Sequence, residues 1–209
     1  MLRILIADDH TVVRKGLRQI LLDEFPTAVI KEVADAEELI MKVMTEKWDV
    51  VVSDLSMPGR SGLDALQQIK LSFPDLPVLI LSIHPEEQYA LRALKAGASG
   101  YLSKDTAPDE LVKAVQKVLL GKKYISQSIA EKLANTFSAE SDQSPHEKLS
   151  DREFDVMKLL ANGKSVSDIA EMLSLSVTTV STYRARVMSK MDLRSNSDLT
   201  RYAIEHKLI

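Results

Sequence analysis

Acidic, hydroxyl and amine side chains stand at or near the ends of several short apolar segments in the first half of the chain. Asp8 and Asp9 end LRILIADD, Asp54 lies in WDVVVSDLSMPG, Ser82 ends LPVLILS and Lys104 ends GYLSK. If these segments are parallel strands, their C-terminal ends share one sheet edge and the side chains meet in one crevice. Three carboxylates there require a cation, and oxygen ligands favour Mg²⁺. One carboxylate can then be the nucleophile that forms an aspartyl-phosphate.

The elements that must position these side chains are an alternation of apolar and amphipathic segments over the first 120 residues. Strands are predicted at Arg3–Ala7, Val29–Val33, Asp49–Ser53, Val78–Leu81 and Gly100–Leu102. Helices are predicted at 11–24, 35–45, 62–72, 86–96 and 108–119, with Asp35 as an N-cap and Gly97 as a C-terminal stop. Five βα units predict an α/β, flavodoxin-like (βα)5 fold with the parallel sheet order 2-1-3-4-5.

The pattern changes after Gly121. Residues 126–137 fit one further helix, and the polar segment 138–146 (SAESDQSPH) is typical of a linker. Four helices fit 151–162, 166–173, 177–191 and 196–206, with N-caps predicted at Ser165, Ser176 and Ser195. The short connection 174–176 predicts a helix-turn-helix.

Three parts of the chain follow from these patterns. They are an α/β domain at 1–121, a linker with one helix at 122–148, and a small all-α four-helix helix-turn-helix domain at 149–209.

Composition and charge narrow the function classes. The chain has no Cys, which excludes disulfides and thiolate metal sites. Residues 1–121 carry 14 Lys and Arg against 18 Asp and Glu, whereas residues 150–209 carry nine against eight. No apolar segment is long enough to span a bilayer and no signal-peptide layout is present, so we expect no membrane partner and a cytoplasmic location.

Residues 1–121 resemble the receiver domain of two-component response regulators over essentially their whole length. The resemblance rests on IADDH (6–10), SDLSMPGRSGLD (53–64), LSIH (81–84) and ASGYLSKD (98–105). It implies that a sensor histidine kinase phosphorylates Asp54. It also implies Mg²⁺ as cofactor, bound by the side chains of Asp9 and Asp54 and the backbone carbonyl of Ser56, with Asp8 binding directly or through water.

The same resemblance gives roles to the residues around the phosphoryl group. Ser82 and Lys104 are expected to bind it, and Tyr101 is expected to turn inward as the switch when Ser82 moves onto it. His84 lies two residues beyond Ser82, where it could position or obstruct hydrolytic water. Many receivers have proline after the lysine, but this chain has Asp105.

Residues 149–209 resemble the LuxR/FixJ/NarL-type helix-turn-helix. The motifs are LSDREFDVMKLLANG (149–163), IAEMLSLSVTTVSTYRARVMSKM (169–191) and NSDLTRYA (196–203). By position, Ser181, Thr182 and Ala185 are candidates to contact base edges. Candidates for phosphate contacts are Thr179, Arg184, Arg186 and Lys190. The resemblance implies that Glu153 ties the helices together. Ser181 and Tyr183 differ from the residues that the family often has at these positions, so the preferred DNA sequence stays open.

The sequence thus predicts a phosphorylation-controlled transcription factor rather than an enzyme that turns over a substrate. Phosphotransfer to the chain itself and autodephosphorylation are the only reactions expected, with homodimerisation on activation and binding to double-stranded promoter DNA. Two alternatives remain. One is a haloacid dehalogenase-type phosphatase, disfavoured because ADDH lacks the DxDx(T/V) spacing. The other is a DNA-binding or partner-binding regulator that keeps the pocket but acts without phosphorylation.

Overall fold

A computed structural model describes residues 1–57, 60–127, 129–131 and 144–209. The chain divides into two compact units, Met1–Ala139 and Glu140–Ile209. In the described part of the chain, no helix combines the length and apolar character that crossing a membrane requires. The helix predicted over 126–137 falls largely outside the described residues.

A five-stranded parallel sheet forms the centre of the N-terminal unit, in the order β2-β1-β3-β4-β5. The strands are β1 (Arg3–Ala7), β2 (Val29–Val33), β3 (Val50–Asp54), β4 (Val78–Ser82) and β5 (Gly100–Ser103). The predicted fold and strand order are confirmed. Because β3 and β4 each run one residue further than the apolar segments indicated, Asp54 and Ser82 belong to the strands themselves.

Five helices cover the sheet. They are α1 (Thr11–Glu24), α2 (Ala36–Thr45), α3 (Gly62–Ser72), α4 (Glu86–Lys95) and α5 (Ala107–Leu119). Asp35 caps α2 as predicted, since its carboxylate accepts the Glu38 backbone N–H at 2.7 Å. Gly97 follows α4 with φ of +102°, a backbone conformation that favours glycine.

The core on one face of the sheet joins alternate strand residues to α1 and α5. Ile4, Val52 and Leu81 from the strands pack with Leu21 of α1 and Leu111 of α5, all essentially excluded from solvent. Successive strand residues point to opposite faces, so the other side chains of the same strands face α2 and α3. Buried on both faces, the strands hold their polar C-terminal residues rigidly at one edge.

Gly62 lets α3 begin close to β3. Its N–H donates to the Leu55 carbonyl at 2.8 Å, and a Cβ at this position would lie 2.0 Å from the Asp54 carbonyl oxygen. Any larger residue would therefore displace the backbone that carries Asp54.

The C-terminal unit is all helical in its described part. A 3₁₀ turn at Pro145–Lys148 precedes α6 (Asp151–Ala161), α7 (Val166–Met172), α8 (Val177–Met191) and α9 (Asn196–Glu205). Ser165, Ser176 and Ser195 each accept a backbone N–H three residues on, which confirms the predicted N-caps. The core side chains are Phe154, Met157, Leu160, Ile169, Val180, Val187 and Met191, whereas Leu173 and Met188, at neighbouring apolar positions, are only half-buried.

Candidate functional site

Lys104 brings two buried carboxylates together at the C-terminal edge of the sheet. Its Nζ lies 2.7 Å from Asp54 Oδ2 and 2.7 Å from Asp8 Oδ2. Asp54 is 2% exposed and Asp8 is fully buried. Asp9 lies beside them and remains partly open to solvent. The structure therefore gathers the predicted acidic residues and the predicted lysine into one pocket.

The pKa shifts in this pocket indicate a shortage of positive charge. Burial raises the pKa of Asp54, and the neighbouring Asp8 raises it further, although Lys104 opposes both effects. Burial would lower the pKa of Lys104, but its hydrogen bond to Asp54 and its ion pair with Asp8 outweigh burial and raise it. The single ammonium of Lys104 thus neutralises only part of the charge of the neighbouring carboxylates. A further cation would stabilise this arrangement.

His10 joins the acidic cluster, which sequence reasoning missed. One potential ligand atom from each of Asp8, Asp9, His10 and Asp54 lies within 4.8 Å of the others. His10 Nδ1 is 2.7 Å from Asp9 Oδ1 and 3.4 Å from Asp8 Oδ1. The sequence signal for it is that His10 directly follows the acidic pair.

His84 connects the predicted switch residues through its backbone and its ring. Its N–H donates to Ser82 Oγ at 2.9 Å, and its carbonyl accepts the Tyr101 hydroxyl at 3.0 Å. Its Nε2 lies 3.0 Å from Ser56 Oγ, and its ring stacks on Tyr89 at 4.8 Å between centroids. The ring thus joins the loop after β3 to the loop after β4, beside Asp54.

Tyr101 and Ser56, which both contact His84, are themselves fixed by burial and by a hydrogen bond to Asp54. Tyr101 is 2% exposed, and burial, more than any other influence, raises the pKa of its hydroxyl. The Ser56 N–H donates to Asp54 Oδ1 at 3.2 Å. The peptide bond between Lys104 and Asp105 is trans.

The second predicted site lies on α8, which carries three cations and no acidic residue. Ser181, Thr182, Ala185 and Arg186 are exposed, while Thr179 and Arg184 are half-buried. The Thr182 hydroxyl donates to the Thr178 carbonyl at 3.0 Å, so its oxygen can still accept a hydrogen bond. A groove of about 330 Å³ runs along this helix, lined by Ser176, Thr178, Thr179, Thr182, Tyr183 and Arg186. Thr178 is the groove residue that sequence reasoning did not single out.

Lys190 and Arg184 also make contacts within the unit. Lys190 Nζ lies 2.6 Å from Glu153 Oε2, and Glu153 is 2% exposed. The Arg184 guanidinium donates to Asn196 Oδ1 at 3.0 Å. Both cations, predicted only as phosphate contacts, therefore also hold α8 against α6 and the start of α9.

Two family models match the two halves of the chain. The response regulator receiver domain matches residues 4–116, and the luxR family of bacterial regulatory proteins matches residues 147–203. Response regulator UvrY of Escherichia coli K12 is 39% identical over 209 residues, covering 100% of this chain and 96% of UvrY. Oxygen regulatory protein NreC of Staphylococcus epidermidis is 38% identical over 216 residues, covering 100% and 99%.

The chain is a response regulator of the NarL/FixJ family. Its N-terminal unit contains the receiver domain, and its C-terminal unit contains the LuxR-type DNA-binding domain. Helix α8 occupies the recognition-helix position of that helix-turn-helix.

Solved structures of another response regulator are similar to this chain over nearly its whole length. RcsB of Salmonella enterica serovar Typhimurium, bound to the rprA promoter with the phosphomimetic BeF₃⁻, is 27% identical with a TM-score of 0.63, covering 97% of this chain and 98% of that one. A complex of RcsB with DNA is 29% identical with a TM-score of 0.58, covering 96% of each chain.

Proposed function

We propose that this response regulator is a transcription factor whose promoter binding is switched by phosphorylation of Asp54. The observation that carries the proposal is the position of Asp54, buried at the end of β3 with Lys104 at 2.7 Å and in an acidic pocket short of positive charge. The phosphodonor is a sensor histidine kinase, and the chain acts in the cytoplasm, where kinase and promoter DNA are both accessible.

Mg²⁺ fits the donor set of the pocket. Asp8 Oδ2 and Asp9 Oδ1 accept no hydrogen bond of good geometry from the described residues, although each lies 2.7 Å from a basic nitrogen. Asp8, Asp9 and Asp54 would hold the ion with the Ser56 backbone carbonyl. When bound, Mg²⁺ supplies charge that neutralises the carboxylates and the phosphoryl oxygens.

The transfer step needs positioning more than covalent chemistry by other side chains. An Asp54 carboxylate oxygen attacks the phosphorus of the phosphohistidine, a P–O bond forms, and the P–N bond breaks with its electron pair returning to the imidazole. Lys104 neutralises charge on the phosphoryl oxygens. Ser82 donates its hydroxyl hydrogen to one of them.

Changes around Ser82 would then carry the signal to the surface. Ser82 now accepts the His84 N–H, and Tyr101 donates to the His84 carbonyl, so movement of Ser82 shifts the residue that holds Tyr101. We infer that this shift changes the population of a second conformation in which receivers dimerise. Hydrolysis of the acyl phosphate on Asp54 would return the chain to its starting state.

The output is DNA binding by α8. Its exposed Ser181, Thr182 and Ala185 are short enough to approach base edges in the major groove. Thr179, Arg184, Arg186 and Lys190 are the phosphate contacts in this proposal. The RcsB complexes with DNA support it, because the match to RcsB covers at least 96% of this chain and so includes most of its C-terminal unit.

Mass spectrometry after incubation with acetyl phosphate and Mg²⁺ tests the phosphoacceptor. We expect the wild type to gain one phosphoryl group, Asp54→Asn to gain none, and the exposed Asp75→Asn to behave as the wild type. Light scattering with and without beryllofluoride then tests the switch. Equal modification of Asp54→Asn, or a wild type whose oligomeric state does not respond, would refute phosphorylation control.

A further inference from the structure

His10 gives this acidic pocket a nitrogen donor in addition to its oxygen donors. The residue forms the N-cap of α1 in extended conformation, and its side chain makes no capping hydrogen bond. Its backbone N–H instead donates to Asp8 Oδ1 at 2.8 Å. The ring leans toward the carboxylates, with Nδ1 2.7 Å from Asp9 Oδ1.

The spacing of these atoms suits one small divalent ion. Two ligands bound at about 2.1 Å on opposite sides of an ion stand at most about 4.2 Å apart. The potential ligand atoms of Asp8, Asp9, His10 and Asp54 already lie within 4.8 Å of one another. The four atoms are thus within about half an ångström of that limit, and the mostly exposed His10 ring has room to move.

An imidazole nitrogen changes which ions a site prefers. Mg²⁺ favours oxygen ligands, whereas imidazole is a good ligand for first-row transition ions. A neutral imidazole also ligates without adding a charge to the three carboxylates. We propose that His10 ligates the pocket's divalent ion and shifts its selectivity from Mg²⁺ toward transition ions such as Mn²⁺. This proposal rests on the metal site of the proposed function.

Pulsed electron paramagnetic resonance of Mn²⁺ bound to the full-length chain tests the ligand directly. The wild type shows a ¹⁴N coupling from a ligated imidazole, and His10→Gln loses it. His84→Gln is the matched control, since its ring is also an imidazole beside the pocket, 3.0 Å from Ser56 Oγ. A coupling that survives in His10→Gln, or that disappears in His84→Gln, overturns the assignment.

Titration calorimetry with Mn²⁺ and with Mg²⁺ tests the selectivity. We expect His10→Gln to weaken Mn²⁺ binding about tenfold and to change Mg²⁺ binding by less than roughly twofold. Equal losses for both ions, or none, contradict a selective role for His10. Asp54→Asn separates the metal site of the proposed function from the ligand role of His10. If Asp54→Asn binds both ions as tightly as the wild type, or if the wild type binds neither ion, the proposed metal site is refuted.

Discussion

The two halves of the molecule each contain a buried carboxylate in contact with a lysine, yet the two pairs differ in their surroundings. Asp54 lies 2.7 Å from Lys104, and Glu153 lies 2.6 Å from Lys190. Burial and Asp8 raise the pKa of Asp54. Burial would raise the pKa of Glu153 as well, but hydrogen bonds from Lys190 and Ser150 lower it overall.

In the proposed function, this difference distinguishes a pair that acts in phosphorylation from a pair that is structural. Glu153 shares its lysine with no other carboxylate that the structure describes, and it completes a capping box with Ser150 at the start of α6. Asp54 shares Lys104 with Asp8 and has Asp9 nearby. A charge-balanced pair holds helices together, whereas an unbalanced one retains the capacity to bind a cation and a phosphoryl group.

Replacing either lysine by methionine should give the largest difference between the two pairs, and the measured quantity is the rate of receiver phosphorylation. We expect Lys104→Met to slow phosphorylation of the receiver by about a hundredfold, because charge neutralisation at the phosphoryl oxygens is lost. Lys190→Met should leave that rate unchanged. Rates of acyl-phosphate formation from acetyl phosphate measure both. Similar rates for Lys104→Met and the wild type would show that the receiver lysine is structural too.

Neutralising the two carboxylates should change stability in opposite directions. Asp54→Asn removes an unfavourable buried charge, so the metal-free receiver should unfold at higher temperature. Glu153→Gln weakens a charged hydrogen bond and should cost the C-terminal unit about 1–3 kcal/mol of unfolding free energy. Scanning calorimetry without Mg²⁺ follows both, and Trp48 fluorescence isolates the receiver because it is the chain's one Trp. Two shifts of the same sign would break the comparison.

The Glu153 pair also predicts a pH dependence. Because folding lowers the pKa of Glu153, its contribution to stability is present above the usual value of 4.5 and is lost as pH falls through the lower folded value. The unfolding temperature of the C-terminal unit should therefore fall steeply in the wild type as the pH becomes acidic. In Glu153→Gln this temperature should depend less on pH. Equal pH dependence in the two chains would argue against an ionised native Glu153.

Arg186 and Lys190 should differ in how they contribute to DNA binding. Arg186 is exposed on the groove along α8, so Arg186→Ala should weaken binding to a mixed-sequence duplex about tenfold and reduce the salt slope by about 1. Lys190→Met should weaken it less, because Glu153 already neutralises Lys190. Fluorescence anisotropy at several salt concentrations measures both slopes. If Lys190→Met lost more DNA affinity than Arg186→Ala, the phosphate contact of Lys190 would be more important than its contact with Glu153.

His84 should have the smallest effect, on the lifetime of the phosphoryl group. Its ring lies 3.0 Å from Ser56 Oγ beside the pocket. If the ring obstructs hydrolytic water, His84→Ala should speed autodephosphorylation by a few-fold. Release of inorganic phosphate from the phosphorylated chain measures the rate. A slower release would mean that the ring positions the hydrolytic water instead of obstructing it.

Much of the fold was predictable because apolar segments bounded by polar residues define buried strands. The gathering of Lys104, Asp54 and Asp8 in one crevice also followed, since parallel strands end at one edge, but their pairing at 2.7 Å did not. The position of the His10 ring and the bond between His84 and Ser56 did not follow, because both depend on how loops bend toward each other. Lys190 could be placed on α8 from the sequence, but its contact with Glu153, 37 residues away, could not.

Genome-wide footprinting of the wild type and of Asp54→Ala under the stimulus that activates the cognate kinase tests the central claim most directly. The account predicts discrete protected sites for the wild type that disappear or weaken strongly in Asp54→Ala, with equal amounts of protein in the cell. Protection of the same sites to the same depth by both chains would contradict it, because DNA binding would then be independent of the acidic pocket.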